Sequence, residues 1–400
     1  MNVVQINSVC GVGSTGKICV SVSELLDEQG IWNKILYSTR VSNYQNGLKL
    51  SRDIYIKFQA LFSRIFGNYG FNSYCATKKL FRILDAIKPD IVHLHNIHSH
   101  NCNIGQLLDY LRKNNIKVFW TFHDCWAFTA YCTHFVMSKC DKWKSECFDC
   151  PQYKRYSWFW DRSKTLFNEK KKSCQGLDLT IVTPSQWLAD LVKQSFFKCY
   201  PIKVVNNGIN LSVFKPSGSD FREKHGLAGQ KIILGVASRW GIEKGLDVFI
   251  LLAKRLPIDF RIILVGTNDN VDKQLPSNII SIHRTQNQRE LAEIYTVADV
   301  FANPTREENY PTVNMEAIAC GTPVVTFRTG GSPEILDETC GSVVDCDDVD
   351  AMEFEIRRIC EEKPYSLEAC LRRAKSFDMN DRFKEYVDMY KEIENKSRCC

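Results

Sequence analysis

Short apolar runs alternate with amphipathic stretches along nearly the whole chain. Runs at Val3–Ile6, Lys34–Tyr37, Ile91–His95, Val118–Phe122 and Leu179–Val182 predict strands. A second series follows at Lys203–Val205, Ile232–Val236, Arg261–Val265, Ile279–Ile282, Val300–Ala302 and Pro323–Phe327. Between the runs, apolar residues recur at helical spacing: Val22, Leu25 and Leu26; Leu107, Leu108 and Leu111; Leu246, Phe249, Ile250 and Ala253. This alternation predicts an α/β fold with parallel sheets covered by helices on both faces. The β-branched, apolar strands fit burial on both sides. The pattern runs twice, with a break at Asn206-Asn207-Gly208 and the following Pro216-Ser217-Gly218 turn. Two domains are therefore expected, over residues 1–205 and 206–376. Residues 377–400 are expected to form a helix that packs back on the first domain. The segment 124–161 fits neither series; it is aromatic and cysteine-rich, and reads as an insertion in the first domain.

The 400 residues suit two domains, and 44% hydrophobic with 24% charged residues excludes disordered, collagen-like and coiled-coil classes. With 52 basic and 46 acidic residues the net charge is +6, compatible with anionic partners but short of a nucleic-acid-binding signature. The start MNVVQINSV lacks the features of a signal peptide, and no run reaches the roughly 18 apolar residues of a membrane span. A cytoplasmic setting follows, so the 18 cysteines are expected to be reduced.

In open parallel sheets ligands bind beyond the carboxyl ends of strands, so the residues after each strand carry the chemistry. After the first strand comes Gly11-Val12-Gly13-Ser14-Thr15-Gly16-Lys17. It fits G-x-G-x-x-G and nearly fits a phosphate loop, which fails at Ile18 for want of a hydroxyl. It also serves as an ordinary strand-to-helix turn. The strand ending at Phe122 presents His123, placed to hydrogen-bond a substrate or leaving group, with Asp124 expected to orient it. His93, His95, His98 and His100 look like a metal cluster, but strand alternation and the loop argue for dispersed structural roles. In the second half, Arg239 and Lys244-Gly245 set two cations at the mouth of a sheet, as a diphosphate requires. In PTREENYPTVNMEAIACGTPVV, Glu308 lies in a loop and Glu316 in the first turns of a helix from Thr312. Two carboxylates so placed can clamp two polyhydroxyl groups, with backbone N–H groups of Tyr310, Thr312 and Val313 facing a phosphate between them.

These motifs, with ACGTPVVTFRTGGSPE, resemble the retaining family-four glycosyltransferases of GT-B architecture. The strings HLHNIHSHN, WTFHDCWAF and NNGINLSVFKP resemble the colanic-acid-type subgroup that builds bacterial surface polysaccharides. The resemblance implies two Rossmann-like domains facing each other across a cleft. It implies a nucleotide diphosphate sugar donor and a glycan or lipid-linked glycan acceptor. It assigns Arg239 and Lys244 to the donor diphosphate and Glu316 to the ribose. Glu308, with the backbone of Asn309, Tyr310, Pro311 and Thr312, goes to the transferred sugar and β-phosphate. Gly13 would approach that phosphate and His123 the reacting sugar. The common E-G-x-G spelling is replaced here by Glu308-Asn309-Tyr310-Pro311, and Glu307 rivals Glu308. No catalytic metal is expected, for want of an Asp-x-Asp triplet beside a diphosphate cradle.

Cys132, Cys140, Cys147 and Cys150 form a Cys-x7-Cys-x6-Cys-x2-Cys-Pro pattern that suits structural zinc, with His134 as an alternative ligand; free thiols remain the other reading. Basic and apolar residues mix over 56–84 and 153–172, which suits peripheral docking on the cytoplasmic face of a membrane as well as plain helical packing. A sugar-nucleotide epimerase of the same fold and a zinc-stabilised nucleic-acid-binding protein are the alternative functions.

Overall fold

The structure is a computed structural model and describes residues 1–98 and 100–398. Residues 399 and 400, the end of the expected C-terminal segment, lie outside the described residues. The chain divides into two compact units, 1–206 with 380–400, and 207–379.

The first unit holds a seven-stranded sheet: β1 (Asn2–Ile6), β2 (Trp32–Tyr37), β3 (Gly47–Lys49), β4 (Ile91–Leu94), β5 (Lys117–Thr121), β6 (Leu179–Thr183) and β7 (Ile202–Val204). All pairs are parallel, in the order β3-β2-β1-β4-β5-β6-β7. The second unit holds six parallel strands: β8 (Lys231–Val236), β9 (Phe260–Val265), β10 (Ile279–Ile282), β11 (Val300–Asn303), β12 (Val324–Phe327) and β13 (Gly341–Val344), in the order β10-β9-β8-β11-β12-β13. Both are Rossmann-like. In each, the strand order reverses once, between β1 and β4 and between β8 and β11. Those reversals place the crevice where ligands enter such sheets.

The central strands are apolar because both faces are covered: Val4, Ile6, Val92, Leu94, Ile233 and Leu234 are all fully buried. Two details differ from the sequence pattern. The run near Lys203 belongs to the first sheet as its edge strand β7, pairing with β6; its polar, half-buried sequence hid that. Strands β3 and β13 were not anticipated, being three and four residues long with partly exposed positions.

The segment 124–161 is packed into the core of the first unit. It contains short turns at Trp126–Phe128, Lys142–Lys144 and Tyr153–Arg155. Phe128, Phe135 and Trp143 pack ring against ring, with centroids 5.0–6.3 Å apart, and join the main core of the unit. The C-terminal helix, Met379–Arg398, buries Tyr386 and Tyr390, one turn apart on one face. The Tyr386 hydroxyl accepts from Thr121 Oγ1 at 3.3 Å, and the Tyr390 hydroxyl donates to His93 Nδ1. Among the described residues, no helix is long and apolar enough to cross a membrane.

Candidate active site

In the second unit the loops after β8 and β11 meet at the strand-order reversal. Arg239 sits exposed just after β8. A single 3-10 turn, Ile242–Lys244, then leads through Gly245 into the helix Leu246–Arg255. Gly245 has φ of 72°, and a Cβ there would lie 2.4 Å from the Pro304 carbonyl. Only glycine lets this turn press against the end of β11. That approach carries Lys244 Nζ to 2.6 Å from Glu308 Oε2, 3.4 Å from the Glu307 carbonyl and 3.5 Å from Thr305 Oγ1.

The Glu308 loop is held from three sides. Arg306 donates to both Asp247 oxygens at 2.8 Å and to Asp347 Oδ1 at 2.6 Å. The Gly331 N–H donates to the Asn309 carbonyl at 2.7 Å. Gly330, at φ of 57°, lies so close that a Cβ would stand 2.0 Å from the Glu308 carbonyl oxygen. Asn207 Nδ2 donates to the Tyr310 carbonyl at 3.3 Å. Asn309, Tyr310 and Pro311 are buried in consequence.

The chain then enters the helix Thr312–Ala319, whose N-cap is Pro311 and whose first turn takes no side-chain cap. The Asn314 N–H already donates to the Pro311 carbonyl at 3.2 Å, so the Thr312 and Val313 N–H groups are the ones that can face an anion. Glu316 lies in the second turn, and the Tyr295 hydroxyl donates to its Oε2 at 3.1 Å. Burial, then the nearby Glu316 charge, pushes the Tyr295 phenol well up, which keeps it a donor. Glu307, the rival carboxylate, is buried, and its Oε1 has no hydrogen-bond partner. An Asp-x-Asp triplet does stand near this loop, Asp345-Cys346-Asp347. Its carboxylates are engaged by arginines, Asp345 by Arg328 at 3.0 Å and Asp347 by Arg306.

In the first unit, Gly13 opens the helix Gly13–Glu28 with φ of 68° and open space around its Cα. His123 follows β5, and its Nε2 lies 3.0 Å from His95 Nδ1. His95 Nε2 in turn lies 3.2 Å from Gln5 Oε1, while Gln5 Nε2 donates to the Cys19 carbonyl at 3.0 Å. The last bond orients the amide, so His95 Nε2 carries the proton and its Nδ1 accepts. His123 must then donate through Nε2, leaving Nδ1 as its acceptor atom. Burial pulls His123 down to about 4, against the pull of the Asp124 charge, so it is neutral at pH 7. Asp124 does not orient His123 as its adjacency suggests. Its Oδ2 lies 3.1 Å from His98 Nε2 and its Oδ1 accepts from the Trp126 N–H. Burial pushes the Asp124 carboxyl up, but His98 and these hydrogen bonds hold it below its usual range. Of the histidine-rich string, His93 is structural, bonded to Thr121 and Tyr390, while His95 belongs to the relay.

Cys132, Cys140, Cys147 and Cys150 line one pocket inside the 124–161 segment; His134 does not line it. Arg306, Gly330, Tyr295, Gln5 and His95 escaped the sequence reading as site residues. The TGG string after β12 was the one signal for Gly330; the others are recruited through tertiary contacts that no local pattern encodes.

The Glycosyltransferase Family 4 model matches residues 23–213, and the Glycosyl transferases group 1 model matches residues 218–377. The chain is 23% identical over 372 residues to WcaC of Escherichia coli K12, assigned as a colanic acid biosynthesis glycosyl transferase, covering 87% of this chain and 88% of that one. Among solved structures it resembles sucrose-phosphate synthase of Thermosynechococcus elongatus, with TM-score 0.73, 16% identity and 99% of each chain covered. It also resembles Anabaena Alr3699/HepE in complex with UDP and glucose, with TM-score 0.69, 14% identity, and 98% and 100% covered.

Proposed function

The chain belongs to the glycosyltransferases that join a Family 4 domain to a group 1 domain, and on that premise we propose that it moves a hexose, with retention, from a nucleoside diphosphate sugar to a lipid-linked bacterial surface glycan. The observation that carries the donor half is the Lys244–Glu308 pair beside the uncapped N-terminus of the Thr312–Ala319 helix. Lys244 and Arg239 supply positive charge, the helix supplies N–H donors, and Glu316 supplies an acceptor for ribose hydroxyls. Glu308, relieved of Lys244 when the diphosphate takes the ammonium, is left to accept from sugar hydroxyls. In the first unit the neutral His123, just after β5, is the candidate for the transferred sugar.

The bond from the anomeric carbon to the β-phosphate oxygen breaks as the acceptor oxygen bonds that carbon from the same face. The acceptor proton passes to the departing phosphate oxygen. Lys244, Arg239 and the helix N-terminus stabilise the charge that develops on that phosphate, so this reading needs no catalytic metal. The HepE structure with UDP and glucose and the colanic acid role assigned to WcaC support the donor class and a polysaccharide product.

A lipid-linked acceptor and peripheral membrane contact are supported by one surface. The helix Asp53–Phe66 exposes Ile54, Phe58, Leu61, Phe62 and Phe66. Beside it, the Trp158 N–H donates to the Arg64 carbonyl, which sets exposed Trp158, Phe159 and Trp160 against the same helix. Aromatic and aliphatic side chains flanked by Lys57 and Arg64 suit an anionic bilayer surface at the cytoplasmic face.

The test is turnover of purified chain with a panel of nucleoside diphosphate sugars and lipid-linked acceptors, the product anomer being read by NMR. Lys244→Ala should cut kcat by roughly 100-fold with the melting temperature unchanged. Wild-type turnover in both Lys244→Ala and Arg239→Ala, or an inverted anomer, refutes the assignment.

A further inference from the structure

The segment 124–161 holds a feature that sugar transfer does not use. Four of its five cysteines, Cys132, Cys140, Cys147 and Cys150, surround one pocket walled by Phe135, Trp143 and Phe148. The sulfurs of Cys132 and Cys150 are neighbours close enough to influence each other. The Ala130 N–H faces the Cys147 sulfur, and the Gln152 N–H, two residues on, faces the Cys150 sulfur.

The turn between Cys147 and Cys150 is built to hold this shape. Asp149 adopts φ of 42°, unusual for a residue with a side chain. Lys142 Nζ donates to the Phe148 and Asp149 carbonyls, each at 3.0 Å, and lies 4.4 Å from the centre of the Phe148 ring. The result is a tight Cys-x2-Cys knuckle with both sulfurs turned to one pocket.

A second observation comes from a different element. Lys170, on the helix Ser163–Cys174, is fully buried. Its ammonium donates to the Trp126 carbonyl at 2.6 Å and lies 3.6 Å from the Trp126 ring centre. Burial pulls Lys170 down to about 7, and the groups that favour its charged form against that are, in order, Cys147, Cys174, Asp124 and Cys132, of which Asp124 is committed to His98. A buried ammonium is costly unless negative charge faces it. Neutral thiols supply none, and neither does a disulfide. Four thiolates around a divalent cation carry a net charge of −2, part of which Lys170 offsets.

We propose that Cys132, Cys140, Cys147 and Cys150 bind a structural Zn²⁺, with Lys170 as the buried counter-charge of the tetrathiolate. Among the described residues, only Asp269, Asp272 and His283 bring three ligand atoms within 4.8 Å of one another, and that group is a surface ion pair with a neighbouring acid. The four sulfurs therefore stand wider apart than ligand spacing, and binding draws them inward by side-chain rotation to the Zn–S distance of about 2.3 Å. The metal closes the segment that begins immediately after His123. It takes no part in sugar transfer.

The experiment uses the full chain, purified without chelator under reducing conditions. Elemental analysis should find one zinc per chain, released by a mercurial titrant as the four thiols react. Replacement by Co²⁺ should give the intense thiolate charge-transfer and ligand-field bands of a tetrahedral sulfur site. Cys150→Ser should lose the metal. Lys170→Met should lose zinc to a competing chelator about tenfold more readily while keeping sulfur-type cobalt bands. Folded, zinc-free chain that shows no such bands with added Co²⁺ overturns the proposal. So does a disulfide among these cysteines in the freshly purified protein. Unchanged zinc retention in Lys170→Met overturns the counter-charge role.

Discussion

Lowering the pH from 7.5 to 5.5 should destabilise the first unit by about 4 kcal/mol, through its buried histidines. Burial holds His93 at about 3 and His100 and His123 at about 4, against 6.5 for an exposed histidine. His95 is pushed the same way by burial and by His93 and His123. With native values below the unfolded one, the unfolded chain binds more protons as pH falls. Stability is therefore full above 6.5 and is lost as pH drops through 6.5 toward 4. At pH 5.5 an unfolded histidine is protonated roughly ten to one, so each buried one costs RT ln 11, about 1.4 kcal/mol. Three give about 4 kcal/mol, a large share of the 5–15 kcal/mol that stabilises a typical domain; His95 adds to it. His283, raised by Asp272, acts in the opposite sense at the surface. Asp124, held below its usual range, begins to matter only in stronger acid.

Urea unfolding followed by tryptophan fluorescence is the assay, since seven of the eight tryptophans lie in the first unit. The slope near pH 5.5 should correspond to uptake of about three to four protons on unfolding. His93→Gln should remove one of them. A stability that stays flat across this window, or a slope of one proton or fewer, refutes the reading of these imidazoles as neutral.

Other substitutions probe the supports of the donor loop. Tyr295→Phe removes the 3.1 Å bond to Glu316 without exposing the ring, and should raise the donor KM about tenfold with kcat little changed; isothermal titration with the nucleotide checks the binding term. Gly330→Ala drives a Cβ into the Glu308 carbonyl, so kcat/KM should fall at least about tenfold, with a strain cost of about 1–2 kcal/mol readable as a lower melting temperature. Arg306→Gln frees Asp247 and Asp347 and should raise proteolytic cleavage within residues 305–310, as mass spectrometry of limited digests would show.

Most of the strands were legible because a strand covered on both faces must be apolar for its whole length, and Val3–Ile6 or Ile232–Val236 cannot easily be anything else. The misses are the strands that escape that demand. The sequence of β3, Gly-Leu-Lys, is half exposed, and β13 begins with glycine; β7 was legible as a strand, and only its place at the edge of the first sheet was not. Hydrophobic pattern reports burial, and short edge strands have little of it.

The candidate site divides along a similar line. Glu308 and Glu316 could be placed relative to each other because one loop and one helix separate them, and both obey local rules. Lys244 could be read as a cation at a strand end, but its contact with Glu308 depends on Gly245 closing onto Pro304 from another loop. His123 shows the limit most sharply. Its neighbour Asp124 was the natural partner by adjacency, yet the backbone turns that carboxylate to His98, 26 residues upstream. The proton on His123 is instead assigned by Gln5, whose amide is oriented by the Cys19 carbonyl. A residue's chemistry here is set by a hydrogen-bond chain that crosses β1, β4 and β5, and such a chain has no spacing in sequence. Motifs therefore name the groups that face a ligand, while the protonation state and rigidity of those groups are decided by residues from other strands and loops. Substitutions at Gln5, Tyr295 or Gly330 should consequently alter the chemistry of the site while leaving every motif residue in place.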